Sequence, residues 1–391
     1  MTNEDGIITS ASAQDFHKLK VAFVGGAFDS AVGRAHRVAI EMDQRFELVA
    51  GCFSRNQTKS VDSALKYRIN PSRAYSDLNS LLKYESEDLD VIMILSPQDQ
   101  HFSQLKKCLD KDVPIVCEKA LVASVAEGLE IQELLTAKNR LVAVTYNYTG
   151  YPMVRELKSM IESGVFGKIQ QVYIEMPQEG FARMSECGEP VTPQEWRLRD
   201  GDIPTISLDL GVHLHMLVKF LTNAHPEEVV ATSSTRGNFH EVTDNVQCLA
   251  KYSENIDCNI WYSKTAFGYR NGLRLRIFGT KGGAEWVQDN PEYLQFADNE
   301  GGKYCLDRAS KNSKIANQIR YERFKAGHPA GFLEAFANYY SDIADVIQRF
   351  KDTRNIDFGE YVFGVEESLE GLKMLEAISR STSSGQWERV N

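Results

Sequence analysis

The stretch Lys20-Val21-Ala22-Phe23-Val24-Gly25-Gly26-Ala27-Phe28-Asp29-Ser30-Ala31-Val32-Gly33-Arg34 decides the fold. A short apolar run enters a glycine pair, and helix formers fill 34–42, which predicts strand, tight turn and helix. Downstream the same grammar repeats. Apolar runs at 46–53, 91–95, 113–117 and 141–146 predict strands, and 61–67, 77–84, 103–109 and 125–138 predict helices. Strands alternating with helices at this spacing require right-handed crossovers, hence a doubly wound parallel sheet of Rossmann type, ending near residue 150. Beyond a helix at 152–163 the pattern changes. Longer alternating strands, including 171–176, 229–234, 246–252, 257–263 and 273–279, follow one another with few helices between. They predict an α+β domain with a large, open, mostly antiparallel sheet, one face packed on helices and the other free as a subunit interface. A long amphipathic helix is expected at 330–350, and a loose tail at Ser381-Thr382-Ser383-Ser384-Gly385. The expected organisation is a loose tail at 1–17, a dinucleotide-type domain at 18–150 and a substrate-binding and oligomerisation domain at 151–391.

Composition narrows the function. The 391 residues are 42% hydrophobic and 25% charged, with a formal net charge of -10. Such a chain suits two globular domains and does not advertise the clustered basic surface that nucleic acid or an anionic membrane requires. No apolar run approaches the roughly 20 residues of a spanning helix, and residues 1–13 lack a basic-then-apolar signal. The seven cysteines, at 52, 108, 117, 187, 248, 258 and 305, contain no C-x-x-C pair. Neither a zinc site nor a disulfide framework is suggested, and a reducing cytoplasm fits this usage.

In the opening turn Gly25 permits the sharp bend, and Gly33 permits close packing of the following helix beneath a pyrophosphate held by backbone N–H groups. The spacing departs from G-x-G-x-x-G: Ala27 stands at the second glycine position, and the loop runs three residues longer before Gly33. Ala27 and Phe28 complete the cofactor-facing loop. After the second strand, Phe53-Ser54-Arg55-Asn56 offers no acid for a ribose 2′-hydroxyl. Ser54 and Arg55 could hold a 2′-phosphate, Arg55 could stack on an adenine, or it could be a solvated loop arginine, so NAD and NADP both remain open.

Two further segments carry chemistry. Ser96-Pro97 ends one strand close to where a nicotinamide would lie, with His101 opening the next helix either as a site residue or as an ordinary helix start. Glu118-Lys119 ends another strand at the edge where open parallel sheets bind ligands. A desolvated lysine there can hydrogen-bond a reacting oxygen; otherwise the pair is a surface ion pair. Residues 207–220 are expected to begin a helix, placing Asp209 and His213 on one face. His213 would serve as acid/base and Asp209 would orient it or hold a substrate hydroxyl, against the plainer reading of a core histidine that His215 receives.

The glycine turn, Glu118-Lys119 and Asp209-x-Gly211-x-His213 together resemble the glucose-fructose oxidoreductase and inositol dehydrogenase family, Gfo/Idh/MocA, in order and spacing over nearly the whole chain. Gly33-x-x-His36-Arg37, Thr145-Tyr146, Trp196-Arg197, Asp244-Asn245, Gly279-Thr280-Lys281-Gly282-Gly283, Gly327-His328-Pro329-Ala330-Gly331 and Glu334-Ala335-Phe336-Ala337-Asn338 resemble longer members acting on sugars or cyclic polyols. The resemblance implies that Lys119, Asp209 and His213 carry catalysis without a metal, and that Tyr146, Trp196, Arg197 and His328 lie near the substrate. Tyr146 and Trp196 equally suit a core at the domain junction. It implies an NAD(P)-dependent dehydrogenase of a sugar, sugar derivative or cyclitol, assembled as a homodimer or homotetramer. The alternatives are a nucleotide-sugar dehydrogenase or ketoreductase, which needs a second phosphate patch, and a non-catalytic dinucleotide-binding regulator. Three departures stand out: Ala27, Ala120 in place of the proline of Glu-Lys-Pro, and Gly201-Asp202-Ile203-Pro204 in place of a glycine run. Loss of that proline is expected to remove a special peptide geometry.

Overall fold

The computed structural model describes residues 18–391; the tail expected at 1–17 lies outside the described residues. The first half runs β1 (Leu19–Gly25), α1 (Ala31–Met42), β2 (Phe46–Cys52), α2 (Gln57–Lys66), α3 (Leu78–Glu85), β3 (Val91–Leu95), α4 (His101–Cys108), β4 (Ile115–Cys117), α5 (Val125–Lys138) and β5 (Val142–Val144). Its five strands pair in the order β2-β1-β3-β4-β5, all parallel. Both faces are covered by helices, so β3, β4 and β5 are buried at every residue. Register collects chemistry at one edge. Gly25 pairs with Leu95, Ile94 with Cys117 and Cys117 with Val144, so Ser96, Glu118 and Thr145 emerge side by side at the carboxyl end of the sheet.

The second half runs α6 (Pro152–Glu162), β6 (Ile169–Pro177), α7 (Val212–Thr222), β7 (Pro226–Ser234), β8 (Asn245–Tyr252), β9 (Ile256–Ser263), β10 (Arg274–Gly279), β11 (Gly282–Val287), β12 (Tyr293–Asp298), β13 (Lys303–Asp307), α8 (Phe332–Thr353), α9 (Val365–Ser384) and β14 (Glu388–Arg389). Nine strands form one sheet, β13-β12-β11-β10-β6-β9-β8-β7-β14, antiparallel except for the parallel pair β6 and β9. Burial alternates strictly along β8, as expected of a sheet with one face on the core. The C-terminal helices return to the first sheet: α8 lies against α1, and α9 against α5. Tyr339 Oη on α8 donates to Val144 O at 2.6 Å, and Val144 N donates to Phe363 O at 2.9 Å. The C-terminal helices are thus tied to β5 of the first sheet.

Two local expectations are corrected. Residues 381–384 are not loose: they form the last turn of α9, and Gly385, at φ 68°, caps it. Serine is a weak helix former, but Ser381 is fully buried, accepts from Ala231 N at 2.9 Å and donates to Gln386 O at 2.7 Å. Tertiary hydrogen bonds override propensity there. The helix expected over 207–220 is present, but Ser207–Gly211 wind as a π-helical turn, from which α7 continues at Val212.

Candidate active site

Backbone geometry builds one side of the site. Gly25 and Gly26 have φ of 82° and 68°, the left-handed region that favours glycine. A Cβ on Gly33 would sit 2.4 Å from Gly26 O, so α1 packs directly on the turn only because Gly33 has no side chain. The three extra loop residues are absorbed by a turn in which Ser30 N donates to Ala27 O at 2.8 Å. Ser30 then caps α1, accepting from Gly33 N at 3.2 Å. Ala27 is buried, while Phe28 N donates to Ser63 Oγ at 3.3 Å. Ala31, Val32 and Ala35 at the α1 N-terminus line a cavity of about 440 Å3. Past β2, Ser54 Oγ accepts from Asn56 N at 3.2 Å, and Arg55 is exposed.

At the sheet edge Glu118 is hemmed in by His36, whose Nε2 lies 3.3 Å from Oε1, and by Thr145, which donates to the same oxygen. Burial alone would raise this carboxyl, but His36, Lys119 and Thr145 outweigh it and hold the pKa below its ordinary value. The Lys119–Ala120 peptide is cis. The expectation that alanine removes the special geometry is therefore not met. His101 brackets this junction, with Nδ1 2.8 Å from Ala120 O and Nε2 2.9 Å from Ser96 O, so it is more than a helix start. Ser96 Oγ donates to Gln104 at 2.5 Å, and the neighbouring Pro97 precedes the short turn into α4.

Opposite Lys119 lies Asp209, which no sequence spacing ties to three cations. Lys119 Nζ donates to its backbone O at 2.7 Å and to Oδ1 at 3.1 Å; Lys264 Nζ donates to Oδ2 at 2.7 Å; and Arg197 donates to Oδ2 as well. Burial would raise the Asp209 carboxyl, yet Lys264, Arg197 and Lys119 hold it well below the usual range. Lys264, only 6% exposed, has its pKa lowered by burial, with Asp209 opposing.

His213 lines the same cavity but donates no hydrogen bond to Asp209 among the described residues. Tyr148 seats its ring edge-on at 4.7 Å and Tyr146 at 6.4 Å. Burial, helped by the Lys119 charge, pushes its pKa down to about 3, so the imidazole is neutral at pH 7.

Lys119, Glu118, Arg197, Asp209 and His213 are thus brought together around one cavity. Tyr146 stands behind it, 3% exposed, donating to Ser368 Oγ at 3.1 Å. Trp196 backs the site from outside, with the Arg197 guanidinium 4.4 Å over its ring. His328 does not join: it is exposed, edge-on to Phe324 at 4.6 Å. Sequence reading missed Lys264, Asn147, Tyr148 and Gln178, which line the cavity. A lysine directly after the alternating strand β9 was the visible signal for Lys264, and Asn147-Tyr148 directly follow the sheet edge at Thr145-Tyr146.

Comparison with known proteins agrees with this fold. The model of the oxidoreductase family with an NAD-binding Rossmann fold matches residues 19–146, and that of the GFO/IDH/MocA C-terminal domain matches 154–285. The uncharacterized oxidoreductase YfiI of Bacillus subtilis is 28% identical over 381 residues, covering 94% of this chain and 95% of its own. Levoglucosan dehydrogenase of Pseudarthrobacter phenanthrenivorans is 23% identical over 309 residues, 71% of this chain and 76% of its own. In fold, an inositol dehydrogenase homolog from Azotobacter vinelandii, solved with NADH and myo-inositol, superposes with a TM-score of 0.86 at 24% identity, covering 95% of this chain and 98% of that one. Both halves of the chain point the same way, and the protein belongs to the Gfo/Idh/MocA family of oxidoreductases.

Proposed function

We propose that this oxidoreductase removes hydride from one secondary hydroxyl carbon of a sugar, sugar derivative or cyclitol, or runs the reverse reduction, with NAD or NADP. The observation that carries the reading is the convergence of Lys119 and a neutral His213 on one cavity at the carboxyl edge of the parallel sheet. The residues present fit a dinucleotide: two left-handed glycines, a Gly33 that admits no Cβ, and the N-terminus of α1 open to the cavity. Gly25, Gly26, Ala27, Phe28 and Gly33 would hold the pyrophosphate, Ser54 and Arg55 the adenosine end, and Ser96, Pro97, His101 and Glu118 the wall beside the ring. When bound, the nicotinamide supplies a hydride acceptor at C4.

The remaining chemistry belongs to the chain. Nε2 or Nδ1 of His213, neutral and without a protein hydrogen bond among the described residues, accepts the hydroxyl proton. Lys119 Nζ donates to the same oxygen and stabilises the alkoxide character that develops as the C–H bond breaks. Asp209 acts on Lys119 through its Oδ1 and backbone O, fixing the ammonium in place. His101 holds the carbonyl next to Lys119 from behind.

The oligomer is proposed to form through the face of the nine-stranded sheet turned away from α7 and α9. A groove of about 530 Å3 runs over it between Tyr173, Leu249, Trp261 and Arg276, and Leu249 and Phe278 stand 48% and 44% exposed. Sedimentation equilibrium should give a dimer or tetramer, which Leu249→Glu weakens; a monomeric wild type would refute it. A cytoplasmic setting is proposed from seven cysteines that are all free.

The test of the chemistry is absorbance at the reduced-nicotinamide band with NAD or NADP and a panel of monosaccharides, anhydrosugars and inositols. Wild-type turnover is expected, with kcat falling by about 10²–10⁴ in both Lys119→Ala and His213→Ala. Tight dinucleotide binding with no turnover on any substrate, nucleotide sugars included, would favour the regulatory reading.

A further inference from the structure

We propose that the substrate of this site carries a carboxylate, making it a sugar acid of the uronate or aldonate kind, and that Lys264, Arg197 and Asn147 bind that carboxylate. The proposal rests on the dehydrogenase reading above and narrows its substrate.

The cavity wall has a surplus of hydrogen-bond donors. An ammonium has three N–H groups. Lys119 spends two on Asp209, and Lys264 spends two, on Asp209 Oδ2 and on Gln178 Oε1 at 3.2 Å. Each keeps one. Arg197 gives a single N–H to Asp209, and its guanidinium makes no other hydrogen bond among the described residues. Asn147, 3% exposed, lines the cavity with a side-chain amide nitrogen that has no hydrogen-bond partner among the described residues. A buried donor without an acceptor is costly, and its position marks where a ligand acceptor is wanted.

Acceptors are correspondingly short. The two Asp209 oxygens already serve three cations, and Glu118 Oε1 is shared by His36 and Thr145, which leaves Glu118 Oε2 as the one carboxylate oxygen of the wall without a partner among the described residues. A substrate hydroxyl needs somewhere to donate as well as something to accept from, and His213 and Glu118 Oε2 supply that for few of the hydroxyls a sugar carries. A carboxylate accepts without donating.

Charge points the same way. Lys119, Arg197 and Lys264 oppose Glu118 and Asp209, three positive against two negative. Lys264 tips the balance: without it the wall would be neutral. At 6% exposure its ammonium is poorly hydrated, and a substrate anion at its free N–H would restore the lost solvation.

The test uses the full chain loaded with NADH. Calorimetric binding of D-galacturonate, D-glucuronate and D-gluconate is compared with that of D-galactose, D-glucose and myo-inositol, alongside oxidative kcat and KM on the same panel. At least one acid should bind about tenfold or more tightly than its neutral counterpart. Lys264→Gln should erase that preference, through KM rather than kcat, and Lys264→Arg should keep it, which separates loss of charge from loss of fold. Neutral sugars binding as well as every acid would overturn the proposal, and their turnover would leave the dehydrogenase reading standing. Selective binding of an acid with no turnover on any substrate would instead support the acid site and sink the dehydrogenase reading.

Discussion

The two walls of the cavity are made by opposite means. On the dinucleotide side the shape comes from absent side chains: Gly25, Gly26 and Gly33 let backbone approach backbone, and the closest missing Cβ would lie 2.4 Å from a carbonyl oxygen. On the substrate side it comes from present ones: Lys119, Arg197 and Lys264 arrive from three separate segments and meet on Asp209. A wall of backbone should be indifferent to charge and intolerant of a single methyl group. A wall of ions should tolerate small changes of shape and fail when the counter-ion its cations share loses its charge.

The sharpest way to break that contrast is Asp209→Asn, which keeps the volume and removes the charge. Three cations, one of them 6% exposed, lose their shared counter-ion. Removing one partner of a buried ion pair costs about 3–5 kcal/mol, so the denaturant midpoint should fall by that equivalent. Turnover should fall with it, because Lys119 loses one of its two holding contacts. An unchanged midpoint would mean that the cations are solvated and that the substrate wall is not an ionic construction.

The counterpart on the other wall is Gly33→Ala. The added methyl must push α1 away from Gly26 O, an overpacking cost of about 1–3 kcal/mol from which alanine's better helix propensity recovers up to about 1. Dinucleotide affinity, followed by quenching of protein fluorescence, should weaken about tenfold while the sugar-binding wall is untouched. Affinity equal to wild type would show that the turn has slack.

The same contrast explains how far the sequence could be read. The parallel sheet and its turn are written locally, since Val24-Gly25-Gly26 and the alternation after it depend on neighbours in the chain, and they were legible. That Lys119, Asp209 and His213 meet at one cavity was also legible, because each lies in a short motif at a strand end or helix start. Lys264 was not: its meaning comes from Asp209, 55 positions earlier, and only the fold brings them to 2.7 Å. His328 failed in the opposite direction, sitting in a suggestive motif that the fold leaves exposed. Ser381 misled because a polar residue can be held in a helix by distant backbone groups, Ala231 N among them. The i, i+4 relation of Asp209 and His213 assumed an α-helix where a π-helical turn stands, and no hydrogen bond joins the two side chains among the described residues.

The smallest expected effect concerns His213, where the two walls meet. Its pKa falls from 6.5 to about 3 because it is buried beside Lys119. Between those two values the unfolded chain takes up a proton that the folded one refuses. Stability from this group is therefore complete above pH 6.5 and is lost as the pH falls towards 3. At pH 5.5 the loss is about 1.4 kcal/mol, one pH unit at 1.36 kcal/mol. Unfolding free energies at pH 7.5 and 5.5 should differ by that much less in His213→Asn than in wild type. The same neutrality removes the usual histidine limb near pH 6.5 from kcat/KM for alcohol oxidation. If the variant keeps the full wild-type pH slope, the imidazole is protonating freely. The Lys119 charge would then be screened by water, and the substrate wall would lose the dryness on which its cations depend.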